Sequence, residues 1–227
     1  MIKRLINCIY PKKCIICNKF TDGKLYICSK CMPTIEPISA ITCRKCGLTK
    51  EHCECNKYVY HFTSIIAPFK NDGAAKAAMY NIKYHGMKEG TAFFSDYMAQ
   101  LVNKKYKNIN FDYAVSIPTS RSSKRQRGFD QAELICKSTA KKLNLPYLKK
   151  CLLLNRTPRS QHTLSANDRF LNTKDLYSIN PKYDLSDKTI LLMDDIKTTG
   201  ASLDEAAKTL LLYGAESVYC VTALVTE

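Results

Sequence analysis

The cysteines of this chain are concentrated at its N-terminus and divide the sequence into two parts. Nine of the twelve lie in the first 55 residues, and only Cys136, Cys151 and Cys220 lie beyond them. In a reducing compartment, such a cluster is typical of metal binding rather than of disulfide bonds. We therefore expect a small zinc-ribbon-like subdomain over residues 1–57 and a separate folded domain over residues 58–227.

The spacing of these cysteines predicts one or two structural zinc sites. A C-x-x-C pair lets two thiolates bind one metal ion, and two pairs separated by a short hairpin complete a tetrahedral site with four cysteine ligands. Sequential pairing gives two ligand sets: Cys14, Cys17, Cys28 and Cys31, and Cys43, Cys46, Cys53 and Cys55. Crossed pairing of the first knuckle with the third also fits the spacing. In the second set His52 is an alternative ligand, and an iron–sulfur cluster is a competing occupant.

Beyond residue 57, hydrophobic strands alternate with amphipathic helices. Strands are predicted over residues 58–69, 111–117, 189–193 and 217–225, and helices over residues 72–84, 91–106, 130–143 and 202–213. Alternating elements of these lengths favour an α/β fold with a mostly parallel sheet that is covered on both faces.

The segment LLMDDIKTTGAS, residues 191–202, predicts a ligand site at the end of a strand. Asp194 and Asp195 follow a buried strand, at the sheet edge where open α/β folds bind ligands. The small and hydroxyl-bearing residues of a phosphate-binding turn come next: Lys197, Thr198, Thr199, Gly200, Ala201 and Ser202. They lead into a helix N-terminus, which suits a phosphate. Two carboxylates beside a phosphate would repel it unless they bind sugar hydroxyls or Mg²⁺, so we expect a phosphorylated ribose.

This segment resembles the phosphoribosyl-diphosphate (PRPP) loop of the type I phosphoribosyltransferases. Together with the cysteine cluster, it makes the chain similar to the ComF/ComFC family of competence proteins. The other segments that carry the resemblance are Ile82-Lys83-Tyr84, Arg127-Gly128-Phe129-Asp130-Gln131, Gln161-x-x-Leu164 and Arg169-x-x-Asn172. Asp130 stands where the family pattern usually has Asn. Lys83, taken alone, is expected on an ordinary basic helix face.

The resemblance implies a sheet of the type I phosphoribosyltransferase kind and a set of site residues. Asp194 and Asp195 would be the catalytic pair on the ribose hydroxyls, residues 198–202 would hold the 5′-phosphate, and Mg²⁺ would accompany PRPP. The residues at the position of the family's pyrophosphate loop are Thr119, Ser120 and Arg121. The family also implies a role in natural transformation, with single-stranded DNA and other DNA-uptake proteins, such as a helicase, as partners.

The net charge of +15 also indicates a polyanionic partner, because the basic residues are clustered rather than spread evenly. Solubility alone is the competing explanation. The residues predicted to contact nucleic acid are Lys124, Arg125, Arg127, Arg156, Arg159 and Arg169. The first three of these, with Arg121, would equally suit a diphosphate.

Two functions therefore fit the sequence. One is a PRPP-binding, phosphoribosyltransferase-like protein, whose sequence identifies no acceptor and so leaves turnover open. The alternative is a non-catalytic, zinc-dependent single-stranded-DNA-binding protein in which the PRPP site is regulatory or vestigial. No apolar run has membrane-spanning length, and residues 1–14 are too short and interrupted for a secretory signal, so we expect a cytoplasmic protein.

Overall fold

The computed structural model describes residues 12–21, 26–53, 55–155 and 173–227. Arg156, Arg159 and Arg169, together with the motif of residues 161–172, lie outside the described residues. Within the described residues, no helix has the combination of length and apolar character that a bilayer crossing requires.

Seven strands and five α-helices are described. The strands are β1 (Ser64–Ile66), β2 (Phe69–Lys70), β3 (Tyr113–Ser116), β4 (Leu152–Leu154), β5 (Tyr177–Ile179), β6 (Thr189–Lys197) and β7 (Ser217–Val225). The helices are α1 (Gly73–Tyr84), α2 (Thr91–Lys105), α3 (Arg121–Arg127), α4 (Gln131–Lys142) and α5 (Ala201–Leu212). Short 3₁₀ turns are present at Met32–Thr34 and Lys88–Gly90.

The main sheet has five strands, and every pairing in it is parallel. Its order is β1-β7-β6-β3, with β2 also paired to β7, while β4 and β5 form a separate antiparallel pair. Alternate residues of β6 enter different cores: Leu191 and Met193 join the cluster that contains α1, α2 and α4, whereas Ile190 and Leu192 join the cluster that contains α5. Both faces of the sheet are thus covered, and the predicted α/β class is confirmed.

The cysteine-rich segment packs into these cores rather than beside them. Ile15 belongs to the same buried cluster as Ile82, and the Asn81 side chain donates hydrogen bonds to the carbonyls of Ile15 (2.9 Å) and Ile16 (3.2 Å). Leu48 belongs to the other cluster. The two halves of the segment therefore contact opposite faces of the sheet. The domain boundary at residue 57 stays a prediction.

Two elements differ from the sequence prediction in ways that bear on the site. The strand predicted over residues 58–69 is reduced to β1 and β2, separated by Ala67 and Pro68, and proline cannot donate a ladder hydrogen bond. Strand β6 is longer than predicted and continues through the two aspartates to Lys197. The aspartates are thus fixed by the sheet itself rather than by a loop after it.

Candidate functional site

A cleft of about 340 Å³ lies at the carboxyl end of β6, a volume within the usual range for small-molecule sites. It is lined by Asn71, Lys83, Tyr84, Arg127 and the continuous run of residues 194–203. Strand β6, the first turn of α5, the end of α1 and the end of α3 therefore meet around one space. All six residues of the predicted phosphate-binding turn belong to its wall.

The turn between β6 and α5 is held in a defined shape. Gly200 has φ 84°, in the left-handed region that favours glycine, and its carbonyl accepts the first helical hydrogen bond from the Asp204 N–H at 2.8 Å. The Tyr60 hydroxyl lies 3.3 Å from the Thr199 carbonyl, and the Ala201 N–H lies 3.4 Å from Thr199 Oγ1. The chain thus presents hydroxyls and amides beside the N-terminus of a 12-residue helix, an arrangement that suits an anion.

Asp195 is anchored by two donors. Lys83 Nζ and Gln131 Nε2 both lie 2.8 Å from its Oδ2 atom, and the residue is only 7% exposed. Burial opposes ionisation, but the Lys83 charge and the hydrogen bonds from Lys83 and Gln131 outweigh it and lower the pKa of Asp195. Asp195 is therefore a fixed carboxylate anion.

Asp194 has the opposite electrostatic environment. Its Oδ1 atom accepts a hydrogen bond from the Asp195 N–H at 2.8 Å, and no ion pair of the described residues involves it. Burial and the neighbouring Asp195 carboxylate raise the pKa of Asp194 well above its usual range. Two acids whose environments separate their pKa values divide the work of a site. Asp194 is therefore the carboxyl group whose ionisation a bound cation, or a hydrogen bond from a ligand hydroxyl, would favour.

Two residues that hold Asp195 were missed or misjudged from the sequence. Lys83 is not on an ordinary basic helix face: its side chain is 15% exposed and pairs with Asp195. It follows the buried stripe Ala75, Ala78, Met79 and Ile82 of α1, which was a signal that it borders the core. Gln131, quoted only as part of the family motif, is 3% exposed and also binds Asp195.

The predicted pyrophosphate-loop residues lie at the adjacent strand end rather than in the cleft wall. Strand β3 pairs with β6, and Thr119 Oγ1 donates to Asp130 Oδ1 at 3.0 Å. Ser120 caps α3 by accepting from the Ser123 N–H at 3.2 Å, and Arg121 is exposed. Asp130 itself caps α4, accepting from the Glu133 N–H at 3.1 Å. Asn and Asp cap helices about equally well, so the departure from the family pattern preserves this role.

The three α3 residues that were predicted to contact nucleic acid have different neighbours. The Arg127 guanidinium lies over the Tyr84 ring, 5.3 Å from its centroid, and lines the cleft. Its buried Nε has no hydrogen-bond partner in the described part of the chain. Lys124 lies 3.3 Å from Glu133, and Arg125 is exposed. Arg127 thus belongs with the cleft, where its cation can face an anionic ligand.

The eight cysteines form two compact groups in the sequential pairing. Within each of the sets Cys14, Cys17, Cys28, Cys31 and Cys43, Cys46, Cys53, Cys55, all sulfur atoms lie within 4.8 Å of one another. The Sγ–Sγ distances are 3.9 Å for Cys17–Cys28, 3.6 Å for Cys43–Cys55 and 3.7 Å for Cys46–Cys53. A tetrahedral zinc site with Zn–S bonds of about 2.3 Å has edges of about 3.8 Å, so both sets fit structural Zn²⁺.

Backbone amides prepare the first knuckle cysteine of each set to bind a metal. Burial raises the thiol pKa, but hydrogen bonds from the amides of following residues outweigh it and lower the pKa of Cys14 and of Cys43 to about 7. Burial and the neighbouring thiols raise the pKa of Cys31 to about 12. Since thiolates are the metal ligands, a bound cation is what would deprotonate all four. His52 instead has its Nδ1 atom 3.0 Å from Thr49 Oγ1.

Comparison with known proteins gives relatives over most of the chain. Residues 5–59 match the double zinc ribbon domain model. The DNA utilization protein YhgH of Escherichia coli K12 is 24% identical over 217 residues, which cover 92% of this chain and 94% of that protein. Competence protein ComFC of Streptococcus pneumoniae is 29% identical over 197 residues, 85% of this chain and 84% of that protein. Competence protein F of Haemophilus influenzae is 30% identical over 105 residues, 46% of each.

Comparison with solved structures gives partial matches, and two of these proteins have names that contain PRPP or phosphoribosyltransferase. The glutamine PRPP amidotransferase of Bacillus subtilis, complexed with ADP and GMP, gives a TM-score of 0.41 at 16% identity, with 63% of this chain and 30% of that chain covered. An adenine phosphoribosyltransferase gives a TM-score of 0.40 at 13% identity, with 66% and 84% covered. These similarities concern the fold alone.

Proposed function

We propose that this chain, which is similar to competence proteins ComFC and F and matches a double zinc ribbon domain, is a ComF-family protein that binds PRPP in the β6 cleft and serves DNA uptake in natural transformation. The observation that carries the PRPP assignment is the joining of two features in one cleft. A pair of carboxylates ends β6, and a turn of hydroxyls and amides leads directly into α5.

Each part of the ligand has a matching group in this cleft. The carboxylates of Asp194 and Asp195 would accept hydrogen bonds from the ribose hydroxyls. The amides and hydroxyls of residues 198–202 would hold the 5′-phosphate at the N-terminus of α5. Lys83 and Arg127 bring positive charge to the same space, which offsets the charge of a diphosphate.

Magnesium fits the same donor set. Mg²⁺ in proteins is usually bound by one or two carboxylates together with substrate phosphates, and Asp194 and Asp195 supply the carboxylates here. Bound there, the ion would neutralise charge on the diphosphate. The residues of this chain would orient the ribose and hold its phosphate, so the proposed activity is PRPP binding.

Single-stranded DNA is the second partner in this proposal. The net charge of +15 supports a polyanionic partner, and the relatives include competence proteins and proteins named for DNA utilization. Phosphate contacts would make the affinity fall steeply as salt concentration rises.

Calorimetric titration with PRPP and Mg²⁺ tests the ribose-phosphate assignment. We expect Asp194→Ala to weaken PRPP binding about 10- to 100-fold, since a hydrogen bond to a charged group contributes about 1.5–3 kcal/mol. Glu216→Ala is the matched control. It removes an exposed carboxylate just before β7, at the end of the strands far from the β6 cleft, and should bind PRPP with wild-type affinity. Unchanged PRPP affinity in Asp194→Ala, with the fold intact, would remove the assignment.

A further inference from the structure

A second and larger cleft lies near the amino-terminal ends of the sheet strands, whereas the β6 cleft lies at a carboxyl end. It has a volume of about 640 Å³. It is formed by Ile41, Thr42 and Arg44, which lie beside the second cysteine group, by residues 104–109 at the end of α2, and by a floor that includes Ser64 and Tyr219. Ser64 begins β1 and pairs with Tyr219, near the start of β7. We name this second cleft the basic groove, after the cations Arg44, Lys104, Lys105 and Lys107 in its lining. Since all strands of the main sheet run parallel, the basic groove and the β6 cleft are at opposite ends of the strands.

The rim of the basic groove is positively charged. Arg44, Lys104, Lys105 and Lys107 line it and are exposed, and no acidic residue belongs to the described lining. None of the ion pairs between described residues involves these four cations. Lys104 and Lys105 also offset the dipole at the end of α2, but Arg44 and Lys107 lie outside any helix. The charge is therefore complementary to a polyanion.

The floor of the basic groove is aromatic and rigidly supported. The half-buried Tyr219 ring packs edge-on against Tyr106, with centroids 5.2 Å apart, and against Phe111 at 5.6 Å. The Tyr106 hydroxyl lies 3.1 Å from both Ser64 Oγ and the Cys220 carbonyl. The floor is thus preorganised, which limits the entropy that a ligand must remove on binding.

The same contacts fix one wall of the groove to the floor. Ser64 Oγ donates to the Arg44 carbonyl at 2.7 Å, and the Ile65 N–H donates to the same atom at 3.1 Å. Ile41, 91% exposed, lies on this wall. The segment that contains the second cysteine group therefore presents one cation, Arg44, and one apolar side chain, Ile41, at a defined position above β1.

We infer that the basic groove binds single-stranded nucleic acid, with its cations on the phosphates and Tyr219 and Ile41 against the bases. The inference rests on the proposed DNA-uptake function and names the surface that performs it. Grooves that combine cations along the backbone with aromatic surfaces for the bases are how proteins bind single strands. An acidic peptide would use the cations only, and a duplex keeps its base faces stacked away from the floor.

The structure favours this groove over α3 as the nucleic-acid surface. On α3, Lys124 is paired with Glu133 and Arg127 lines the β6 cleft, which leaves Arg121 and Arg125 as its exposed cations. The basic groove has four exposed cations and an aromatic floor as well. The basic groove is also separate from the proposed PRPP site, so a strand and PRPP can be bound at the same time.

Fluorescence anisotropy with a labelled oligo-dT strand, measured across a salt series, tests the inference. We expect Arg44→Ala/Lys107→Ala to make the slope of log affinity against log salt shallower by about 1.4, which corresponds to about tenfold weaker binding near 0.15 M salt. Because Arg44 adjoins zinc ligands, Lys105→Ala/Lys107→Ala is a second variant away from the ribbon, with the same expected change. Lys137→Ala/Lys141→Ala removes two exposed lysines from α4 and should behave as wild type.

The outcomes separate the inference from the function beneath it. If the wild-type protein does not bind the oligonucleotide, the DNA part of the proposed function fails. If it binds, but both groove variants bind equally well, or only Lys124→Ala/Arg125→Ala weakens binding, the groove assignment is overturned. Displacement of the strand by saturating PRPP would also overturn it. An abasic strand of equal length should bind less tightly than oligo-dT, and equal affinity would contradict a role for the aromatic floor.

Discussion

At the scale of single residues, the two aspartates of the β6 cleft are neighbours with different tasks. The Oδ2 atom of Asp195 already has two partners within the protein, since Lys83 on α1 and Gln131 on α4 both donate to it. Asp194 accepts one backbone hydrogen bond, and burial with the adjacent carboxylate raises its pKa. The pair therefore places one fixed charge and one adjustable charge at the position proposed for the ribose hydroxyls.

This difference predicts opposite effects of two isosteric substitutions on stability at neutral pH. Asp195→Asn leaves the Lys83 charge buried without its partner and should lower the free energy of unfolding by about 3 kcal/mol. Asp194→Asn removes a carboxylate that the fold disfavours, so it should be neutral or stabilising by about 1 kcal/mol. Urea unfolding at pH 7 measures both, and equal losses would contradict the described environments.

The pH dependence of the same two variants follows from the directions of the pKa shifts. The lowered pKa of Asp195 contributes stability above its unfolded value, near 3.9, and that contribution is lost as pH falls through the folded value. The raised pKa of Asp194 works in the other direction: its contribution is lost as pH rises from the unfolded value through the folded one. The penalty of Asp195→Asn should therefore shrink in acid.

At the scale of elements, the turn from β6 to α5 is shaped by what lies beneath it. Lys197 is 1% exposed and packs under Gly200, where an added Cβ would lie 3.2 Å from Lys197 Cε and 3.3 Å from Tyr60 Cε1. Strand, turn and helix therefore form one closely packed unit, and the position of the amides that would hold a phosphate is set by this packing.

Two glycine substitutions test this unit. Gly200→Ala and Gly128→Ala both place alanine at a left-handed position, φ 84° and 76°, which costs about 1–2 kcal/mol each. Only at Gly200 does the new methyl group meet neighbours; at Gly128 nothing lies within 4 Å. We expect both variants to lose stability by thermal unfolding, but only Gly200→Ala to lose PRPP affinity, by at least about tenfold. Equal PRPP affinity in the two variants would show that the turn does not hold the ligand.

At the scale of the whole molecule, the two cysteine groups are joined to opposite faces of one sheet. Cys14 and Ile15 are buried in the cluster that contains α1 and α2, and Cys46 and Leu48 in the cluster that contains α5. Because each group is part of a core, the free energy of zinc binding contributes to the stability of the sheet as well as of the ribbon.

Single cysteine substitutions should therefore change metal content and stability together. We expect the wild-type protein to hold two zinc ions per chain, and Cys14→Ser and Cys43→Ser to hold one each and to unfold at lower temperature. Cys136→Ala, which removes a buried thiol outside both groups, should keep both ions. Elemental analysis with calorimetric unfolding measures both properties, and full zinc content in Cys14→Ser would show that the ligand set is wrong.

Local patterns in the sequence predicted the alternation of strands and helices, the cysteine groups and the segment that lines the β6 cleft, because each depends on residues close together in the chain. The parallel pairing was inferred from that alternation, although it joins distant segments such as β1 and β7. The apolar stripe of α1 indicates that Lys83 borders the core, but its pairing with Asp195 was not predictable from local patterns, since it depends on how α1 is placed relative to β6. Helix α3 has no buried residue and hence no apolar periodicity. The basic groove is built from four separate segments, which only the fold brings together.

The most direct measurement of the central claim is a crystal structure of the protein with PRPP and Mg²⁺. We expect the ribose hydroxyls within hydrogen-bond distance of the Asp194 and Asp195 carboxylates, and the 5′-phosphate on the amides and hydroxyls of residues 198–202. Ligand density at another place, with the β6 cleft empty at saturating PRPP, would contradict the claim.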